Sequence, residues 1–181
     1  MTAGFCVWLT GLSASGKTTT ANALAHALEA MSLQVAVLDG DDVRRRLSPD
    51  LGYSDVDRQT NVRRIGMLAR DAVSTGAVAI CAVVSPFRSG REECRVLIGP
   101  SRFVEVFVDA PIEVCEARDP NGLYRRARRG EVAHVSGLDA PYEPPLAPDV
   151  VLDTVRVPVE ANVARIMACL RARRLVRSLP V

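Results

Sequence analysis

The residues with the clearest chemical potential lie near the start of the chain, directly after a short apolar run. The segment GLSASGKT at 11–18 matches the pattern G-x-x-x-x-G-K-[ST] at every defined position. In this pattern backbone amides surround phosphate oxygens, the lysine bridges the β- and γ-phosphates, and the hydroxyl residue holds Mg²⁺. The segment therefore predicts a site for a nucleoside triphosphate and magnesium, formed by Gly11, Leu12, Ser13, Ala14, Ser15, Gly16, Lys17, Thr18 and Thr19.

The lysine of this phosphate loop, as residues 11–18 are called below, is unusual in the composition. The chain has 23 lysines and arginines, and Lys17 is the only lysine among them. Arginine and lysine are largely interchangeable on a surface, so the arginine bias by itself indicates genome composition. An ammonium group is hardest to replace beside bound phosphates, which predicts a catalytic role for Lys17.

Three carboxylates follow the second predicted strand, at Asp39, Asp41 and Asp42. Ligands of open α/β sheets bind at the carboxyl ends of the strands, so these groups are placed to hold magnesium and to accept a hydroxyl proton. Asp41 is the preferred candidate for both roles. For Asp39 and Asp42, capping of the following helix is an equally good explanation.

Further candidates lie on either side of the third predicted strand. Ser85 stands at the tip of that strand, where it could contact a substrate, act as a nucleophile or serve only as a turn residue. Between the second and third strands the chain carries a ring, an amide and three cations: Tyr53, Arg58, Asn61, Arg63 and Arg64. These suit stacking on a base and binding an anion, but the arginines could instead pair with nearby acids.

Apolar strand-like runs alternate with helix-like segments along the whole chain, which predicts a parallel α/β sheet. The predicted strands are Phe5–Thr10, Gln34–Asp39, Ala77–Val84, Phe103–Asp109 and Asp149–Asp153. Apolar stripes at helical spacing predict helices after Lys17, over 62–73 and over 159–170. Residues 118–148 break the alternation, being polar and rich in Gly, Pro and Arg, and predict a mobile lid or a disordered insert.

Length and composition limit the class of protein. With 181 residues, 48% hydrophobic content and a net charge of +2, one domain (1–181) is expected, without a polybasic segment for nucleic acid. No apolar run is long enough to span a membrane, and no secretory signal is evident, so a cytoplasmic enzyme or binding domain is expected. The five cysteines share no close spacing, which favours buried reduced thiols over a zinc site.

Seven blocks, in order from Phe5 to Thr154, together resemble the adenylylsulfate kinase family: GLSASGKTT, DGDDVR, LGYSDVDRQTNVRRIG, VSPFR, EVFVD, RDPNGLYRRARRGE and PYEPP…VLDT. The resemblance implies a P-loop NTPase-type three-layer sandwich with a central five-stranded sheet and a mobile lid. It implies transfer of the ATP γ-phosphate to the 3′-hydroxyl of adenosine 5′-phosphosulfate, giving 3′-phosphoadenylyl sulfate and ADP in sulfate assimilation. It also implies a homodimer and an association with ATP sulfurylase.

The resemblance assigns roles to individual residues. It implies that Asp41 and Arg44 contact the acceptor nucleotide, that Tyr53 stacks on its adenine, and that Arg58 and Asn61 bind its phosphosulfate or ribose. Val84 and Ser85 match a further substrate contact, and Ser85 matches a proposed phosphoserine position, although in-line transfer needs no covalent intermediate. The arginines from Arg118 onward would close over the phosphates.

Two positions depart from the family pattern. Asn121 stands where relatives usually carry lysine, and Val135 stands where they tend to carry phenylalanine. Both positions are predicted to contact the acceptor, and the loss of one stacking ring would cost about 1–3 kcal/mol. A kinase for another small acceptor and a non-catalytic regulatory nucleotide-binding domain therefore stay as alternatives, whereas a GTPase is disfavoured because its Asn-Lys-x-Asp signature needs a second lysine.

Overall fold

The computed structural model describes residues 4–177. Its strands are β1 (Phe5–Thr10), β2 (Val35–Asp39), β3 (Val78–Ala82), β4 (Phe103–Asp109) and β5 (Val150–Asp153). Its α-helices are α1 (Lys17–Glu29), α2 (Gly40–Leu47), α3 (Asp55–Ser74), α4 (Arg88–Ile98), α5 (Ile112–Arg118), α6 (Leu123–Arg128) and α7 (Val159–Ala172).

The five strands form one parallel sheet in the order β2-β3-β1-β4-β5. Successive side chains of a strand point to opposite faces, and β1 shows what each face covers. Val7 and Leu9 pack into a core with α1 and α7, whereas Cys6 and Trp8 pack into a second core with α3 and α4. The predicted three-layer α/β sandwich is confirmed.

The strand bounds agree closely with the sequence prediction, with one informative difference. β1 and β4 have the predicted bounds, and β2 and β5 each begin one residue later. β3 ends at Ala82 rather than Val84, because the carbonyl of Val84 accepts a hydrogen bond from the Thr10 hydroxyl at 2.7 Å. Ser85 then has a positive φ of 41°, which turns the chain away from the sheet.

The five cysteines are all free thiols, as predicted, and four of them are buried: Cys6, Cys81, Cys94 and Cys115. Burial raises the pKa of the Cys94 thiol to about 12, so this group stays protonated at neutral pH. Within residues 4–177, no helix is both long and apolar enough to cross a membrane.

The region predicted as a lid, 118–148, has two parts that pack against different segments of the protein. Its first part contains α6 and packs on the phosphate loop through a small core that includes Tyr124 and Leu12. Its last part lies across the carboxyl edge of the sheet, where the Tyr142 hydroxyl meets the Thr10 hydroxyl at 3.0 Å and the amide of Glu143 donates to Pro86 at 2.8 Å. Residues 142–144 thus form a strap tied to β1 and to the segment after β3.

A buried ion pair joins this strap to the sheet. Arg91 of α4 is 2% exposed and donates to the Glu105 carboxylate of β4 at 2.8 Å. The same guanidinium donates to the carbonyl oxygens of Ser85 at 2.6 Å and Glu143 at 2.7 Å. One side chain therefore holds together β4, the turn after β3 and the strap.

We expect Arg91→Met to lower the free energy of unfolding by about 3 kcal/mol, because it leaves a buried carboxylate and two carbonyls short of their donor. Arg63→Met is the matched control, since Arg63 is 66% exposed and pairs with Glu93 at 3.1 Å. That change should cost less than about 1 kcal/mol in the same urea titration. Equal losses in the two variants would contradict the structural role of Arg91.

Candidate active site

The phosphate loop has the backbone geometry that an anion requires. Gly16 has a φ of +105° directly before α1, a conformation that residues with side chains rarely adopt. Gly11 must be glycine for another reason, since a Cβ there would lie 2.5 Å from the carbonyl oxygen of Val108. The first bond of the helix runs from the Thr20 amide to the Gly16 carbonyl at 3.0 Å, so the preceding amides have no partner within the helix. These amides and the helix dipole form a cradle for phosphate oxygens.

Lys17 lies inside this cradle rather than on the surface. It is 8% exposed, and its Nζ donates to the carbonyl oxygens of Gly11 at 3.0 Å and Leu12 at 2.7 Å. Burial lowers the pKa of Lys17 from 10.5 to about 8, although the nearby Asp41 and Asp39 carboxylates partly offset the shift. An anionic phosphate entering the cradle would favour the charged ammonium.

Thr18, the predicted magnesium ligand, is oriented by a carboxylate from the neighbouring strand. Its hydroxyl donates to Asp39 Oδ2 at 2.7 Å, and Asp39 Oδ1 accepts from the Asp41 amide at 3.0 Å. Asp39 therefore does cap α2, as one of the two readings predicted, and it also positions Thr18. The hydroxyl of Thr18 and the carboxylates of Asp39 and Asp41 are the hard oxygen donors that Mg²⁺ prefers, so the residues fit the ion.

A cavity of about 430 Å³ opens over the loop. The predicted residues that line it are Ser13, Ala14, Gly16, Lys17, Thr18, Thr19, Asp41, Val84, Arg118 and Asn121. Asp39, which was weighed between magnesium binding and helix capping, also lines it, and others that line it were not predicted, notably Thr154, Val157, Val159 and Asn162. Asn121 thus lines the same cavity as the phosphate loop. Thr154 directly follows β5, and the rule that ligands bind at strand ends would have identified it.

Arg118, the predicted ATP-binding residue at the end of α5, spans the outer side of the loop. Its guanidinium donates to the Thr154 carbonyl at 2.7 Å and, more weakly, to the Ser15 carbonyl at 3.3 Å. The Thr154 hydroxyl donates to the same Ser15 oxygen at 2.6 Å. The loop, β5 and the base of the lid are therefore linked, and the planar guanidinium forms part of the cavity wall.

A second group of predicted residues gathers around α2 and the start of α3. The Arg44 guanidinium lies 4.5 Å from the centroid of the Tyr53 ring and donates to the Gly52 carbonyl at 3.1 Å. Arg58 donates from Nε to the Tyr53 carbonyl at 3.0 Å. Tyr53 is 56% exposed, so its ring is available to a planar ligand.

Two residues of α3 connect this group to the lid and to the interior. Arg58 donates to the Ser136 hydroxyl at 2.6 Å, and burial, helped by the charge of Arg44, lowers the pKa of its guanidinium. Asn61 is 7% exposed, and its Oδ1 has no hydrogen-bond partner among residues 4–177. A buried unpaired acceptor is costly, which favours a ligand that donates to it. Ser136 was not predicted to bind anything.

The other two arginines of this segment have structural partners, as the alternative explanation allowed. Arg64 forms a two-pronged pair with Asp50 at 2.7 and 2.8 Å, and Arg63 pairs with Glu93 at 3.1 Å. The acids differ from the nearest ones in sequence, Asp55 and Asp57. Both guanidinium groups are therefore engaged in structural ion pairs, and neither is assigned to binding the acceptor.

The structure argues against a catalytic Ser85 and against an acceptor contact by the side chain of Val135. Ser85 is 1% exposed, its hydroxyl accepts from Trp8 Nε1 at 3.1 Å, and it donates to the Val83 carbonyl at 3.3 Å. A hydroxyl that is buried and paired twice cannot reach a γ-phosphate without breaking both bonds. Val135 is 4% exposed and belongs to the small core of the lid, so it packs the lid on the loop.

Comparison with known proteins agrees with this geometry. The family model described as adenylylsulphate kinase matches residues 3–153. The chain belongs to the adenylylsulfate kinase family. Adenylyl-sulfate kinase of Marinobacter nauticus is 46% identical over 172 residues (95% of this chain, 86% of that protein), and that of Bacillus pumilus is 50% identical over 161 residues (89% and 82%).

The solved structure of the Mycobacterium tuberculosis APS kinase in complex with AMPPNP and APS aligns with a TM-score of 0.90. It is 36% identical and covers 94% of this chain and 99% of its own. The family match at 3–153 spans the phosphate loop, α2 and residues 118–148. The family match therefore also spans Asn121 and Val135, the two positions at which the chain departs from the family pattern.

The lowered pKa of Lys17 predicts a pH dependence of nucleotide binding. The charged ammonium is present below a pKa of about 8 and is lost above it, so MgADP should bind about tenfold more weakly at pH 9 than at pH 7. Calorimetry in two buffers of different ionisation enthalpy should also show proton uptake on binding near pH 8.5. The Lys17→Met variant should show no proton uptake. Absence of proton uptake in the wild type would contradict the lowered pKa of Lys17.

Lys17→Arg should lower kcat by at least about a hundredfold while the melting temperature changes little. The enclosed position between two loop carbonyls fits a compact ammonium, and a planar guanidinium cannot bridge the phosphates with the same geometry. ADP release and thermal unfolding measure the two quantities. Arg125→Lys is the control, because it makes the reverse substitution at an exposed residue of α6. It should leave the melting temperature unchanged.

Proposed function

We propose that this adenylylsulfate kinase transfers the γ-phosphate of ATP to the 3′-hydroxyl of adenosine 5′-phosphosulfate through Asp41. The observation that carries the proposal is the position of Asp41 between two groups of residues. Asp41 lines the phosphate-loop cavity, and its helix, α2, bears Arg44 one turn later beside Tyr53. A hydroxyl presented from the Tyr53 side would meet the γ-phosphate next to this carboxylate.

The chemistry needs few groups besides Asp41. Lys17 and the loop amides hold the phosphates, and Asp41 accepts the proton of the attacking hydroxyl. Thr18, oriented by Asp39, would hold Mg²⁺ with Asp41 close by, and the ion would neutralise charge on the phosphates. Transfer is direct and in line, because the only other nucleophile predicted, Ser85, is buried and paired.

The acceptor nucleotide is bound by the second group of residues. Tyr53 offers a half-exposed ring to the adenine, and Arg44 and Arg58 supply positive charge for the phosphosulfate. Asn61 offers the unpaired Oδ1, which suits a ribose hydroxyl as donor. The exposed side of Tyr53 has no second ring from Val135, so we expect the acceptor adenine to be stacked on one face only.

We propose a shorter lid than the sequence indicates. Residues 118–141 pack on the loop through a small core and the hydrogen bond from the Tyr124 hydroxyl to the Ser13 carbonyl at 3.0 Å. The strap at 142–144 is tied to the sheet at several points and stays in place when that part opens. A single domain over 1–181 is retained as part of this proposal.

The assembly is implied by the family resemblance, whereas the location was expected from the sequence pattern. A homodimer, an association with ATP sulfurylase and a cytoplasmic location stay predictions. Sedimentation velocity of the purified chain, alone and mixed with ATP sulfurylase, tests the first two. A monomer that turns over adenylyl sulfate at full rate would remove the need for either.

Asp41→Asn should lower kcat with adenylyl sulfate by at least about a hundredfold, because the amide cannot accept the proton. Asp42→Asn is the matched control, since Asp42 is its neighbour on α2 and pairs with exposed Arg45 outside the cavity. It should keep the wild-type rate in a coupled assay for ADP. Adenylyl sulfate that saturates the wild type without ADP release would favour the regulatory binding domain, and turnover of another acceptor only would favour the alternative kinase.

A further inference from the structure

Trp8, in β1, is a large side chain that the proposed mechanism does not use. It is completely buried, and its ring stacks on Phe103 with the two centroids 5.7 Å apart. Apolar packing accounts for the ring but not for the indole N–H, which needs an acceptor once it is buried. That acceptor is the Ser85 hydroxyl, at 3.1 Å. Trp8 therefore joins the sheet to residues 83–85, called the Ser85 turn below.

The Ser85 turn holds a backbone conformation that serine seldom adopts. The φ of Ser85 is +41°, and such a conformation persists only where neighbouring groups fix it. Trp8 donates to the Ser85 hydroxyl, and Arg91 donates to the Ser85 carbonyl at 2.6 Å. The Thr10 hydroxyl donates to the preceding carbonyl, that of Val84, at 2.7 Å, and Val84 lines the phosphate-loop cavity. Strained residues held in this way cluster at functional sites, so we expect the turn to serve the cavity.

The start of α2 lies against the Ser85 turn. The Ser85 hydroxyl donates to the Val83 carbonyl at 3.3 Å, which links the side chain below Trp8 to the first residue of the turn. A Cβ on Gly40, where α2 begins, would lie 3.4 Å from Val83 Cγ1, so there is room for little more than a methyl group between the two segments. Gly40 directly precedes Asp41. A shift of Val83 is therefore passed on to the residue beside Asp41.

The anchoring of α2 to the sheet involves the same core. Among residues 40–47, all of which the structure describes, only Val43 is buried. Val43 packs in the core that contains Trp8 and Val83. The position of α2, and with it the position of Asp41, therefore depends on how Trp8 and Val83 are held.

We propose that Trp8 is a positioning residue for phosphoryl transfer: through the Ser85 turn it holds the start of α2 where Asp41 accepts the proton of the attacking hydroxyl. The inference rests on the proposed role of Asp41 and goes beyond it, since it assigns the placement of that carboxylate to a hydrogen bond in the core. A proton acceptor must lie within hydrogen-bond distance of its donor, so a small displacement slows transfer and leaves nucleotide binding intact.

Trp8→Phe removes the indole N–H and leaves an aromatic ring beside Phe103. We expect kcat with adenylyl sulfate to fall about tenfold, while the affinity for MgADP changes by less than about twofold. Phe103→Leu is the matched control, because it takes volume from the same core and leaves the indole N–H and the Ser85 hydroxyl in place. It should lower the melting temperature and keep kcat close to the wild-type value. Equal falls of kcat in the two variants would overturn the proposal.

A double-mutant cycle shows whether Trp8 acts through Ser85. Ser85→Ala removes the acceptor of the indole proton, so we expect it to lower kcat by a factor similar to that of Trp8→Phe. The double variant should be no slower than the slower single variant, because both changes break the same link. Effects that multiply would mean that the two residues act independently, and the proposal would be wrong.

Fluorescence tests the hydrogen bond without any change to Trp8, which is the only tryptophan of the chain. Ser85→Ala should shift its emission to shorter wavelength, because the indole N–H loses its polar partner. Ser89→Ala, at an exposed serine of α4, should leave the emission unchanged. An unchanged spectrum in Ser85→Ala would overturn the proposal even where Trp8→Phe fails to fold.

Failure of this inference and failure of the proposed function give different results. If Asp41→Asn keeps the wild-type kcat, the proposed role of Asp41 is wrong and the inference falls with it. If Asp41→Asn is impaired while Trp8→Phe keeps the wild-type kcat, only the inference about Trp8 is wrong.

Discussion

Parallel pairing of five strands is the constraint on which the rest of this structure depends. Because β1 lies between β3 and β4, three carboxyl ends open side by side at one edge of the sheet. The phosphate loop follows the end of β1, and the turn at Ser85 follows the end of β3. A parallel sheet buried on both faces leaves its functional groups only this edge, so the groups of the site come from the loops and helices that lie there.

Hydrogen bonds between the segments at this edge of the sheet hold the site residues in defined positions. Asp39 connects Thr18 to the start of α2, and Thr154 connects the loop to β5. The Thr18–Asp39 and Thr154–Ser15 bonds join residues 21 and 139 positions apart, so these contacts form only when the sheet is complete. This explains why Asp39 serves at once as a helix cap and as an orienting group for Thr18.

Arginine has two distinct uses in this chain. Arg91 is buried and divides its donors among a carboxylate and two carbonyls, which stabilises the edge of the sheet under the strap. Arg44 and Arg58 also donate to carbonyls, yet they stay beside a half-exposed ring and near each other, where two like charges favour an anion. Composition alone could not separate these uses, because it counts guanidinium groups without their partners.

The sequence by itself determined the fold class, the phosphate loop and all five strand starts to within one residue, and it predicted the acceptor segment around Tyr53, since these depend on local periodicity and on motifs of contiguous residues. Only the tertiary structure decided that Ser85 is enclosed by Trp8, that Val135 packs inside the lid, that residues 142–144 form a strap and that Asn162 reaches the cavity. These properties depend on which distant segments meet. Burial and hydrogen-bond partners arise from contacts made across the folded chain, and no local pattern of residues records them.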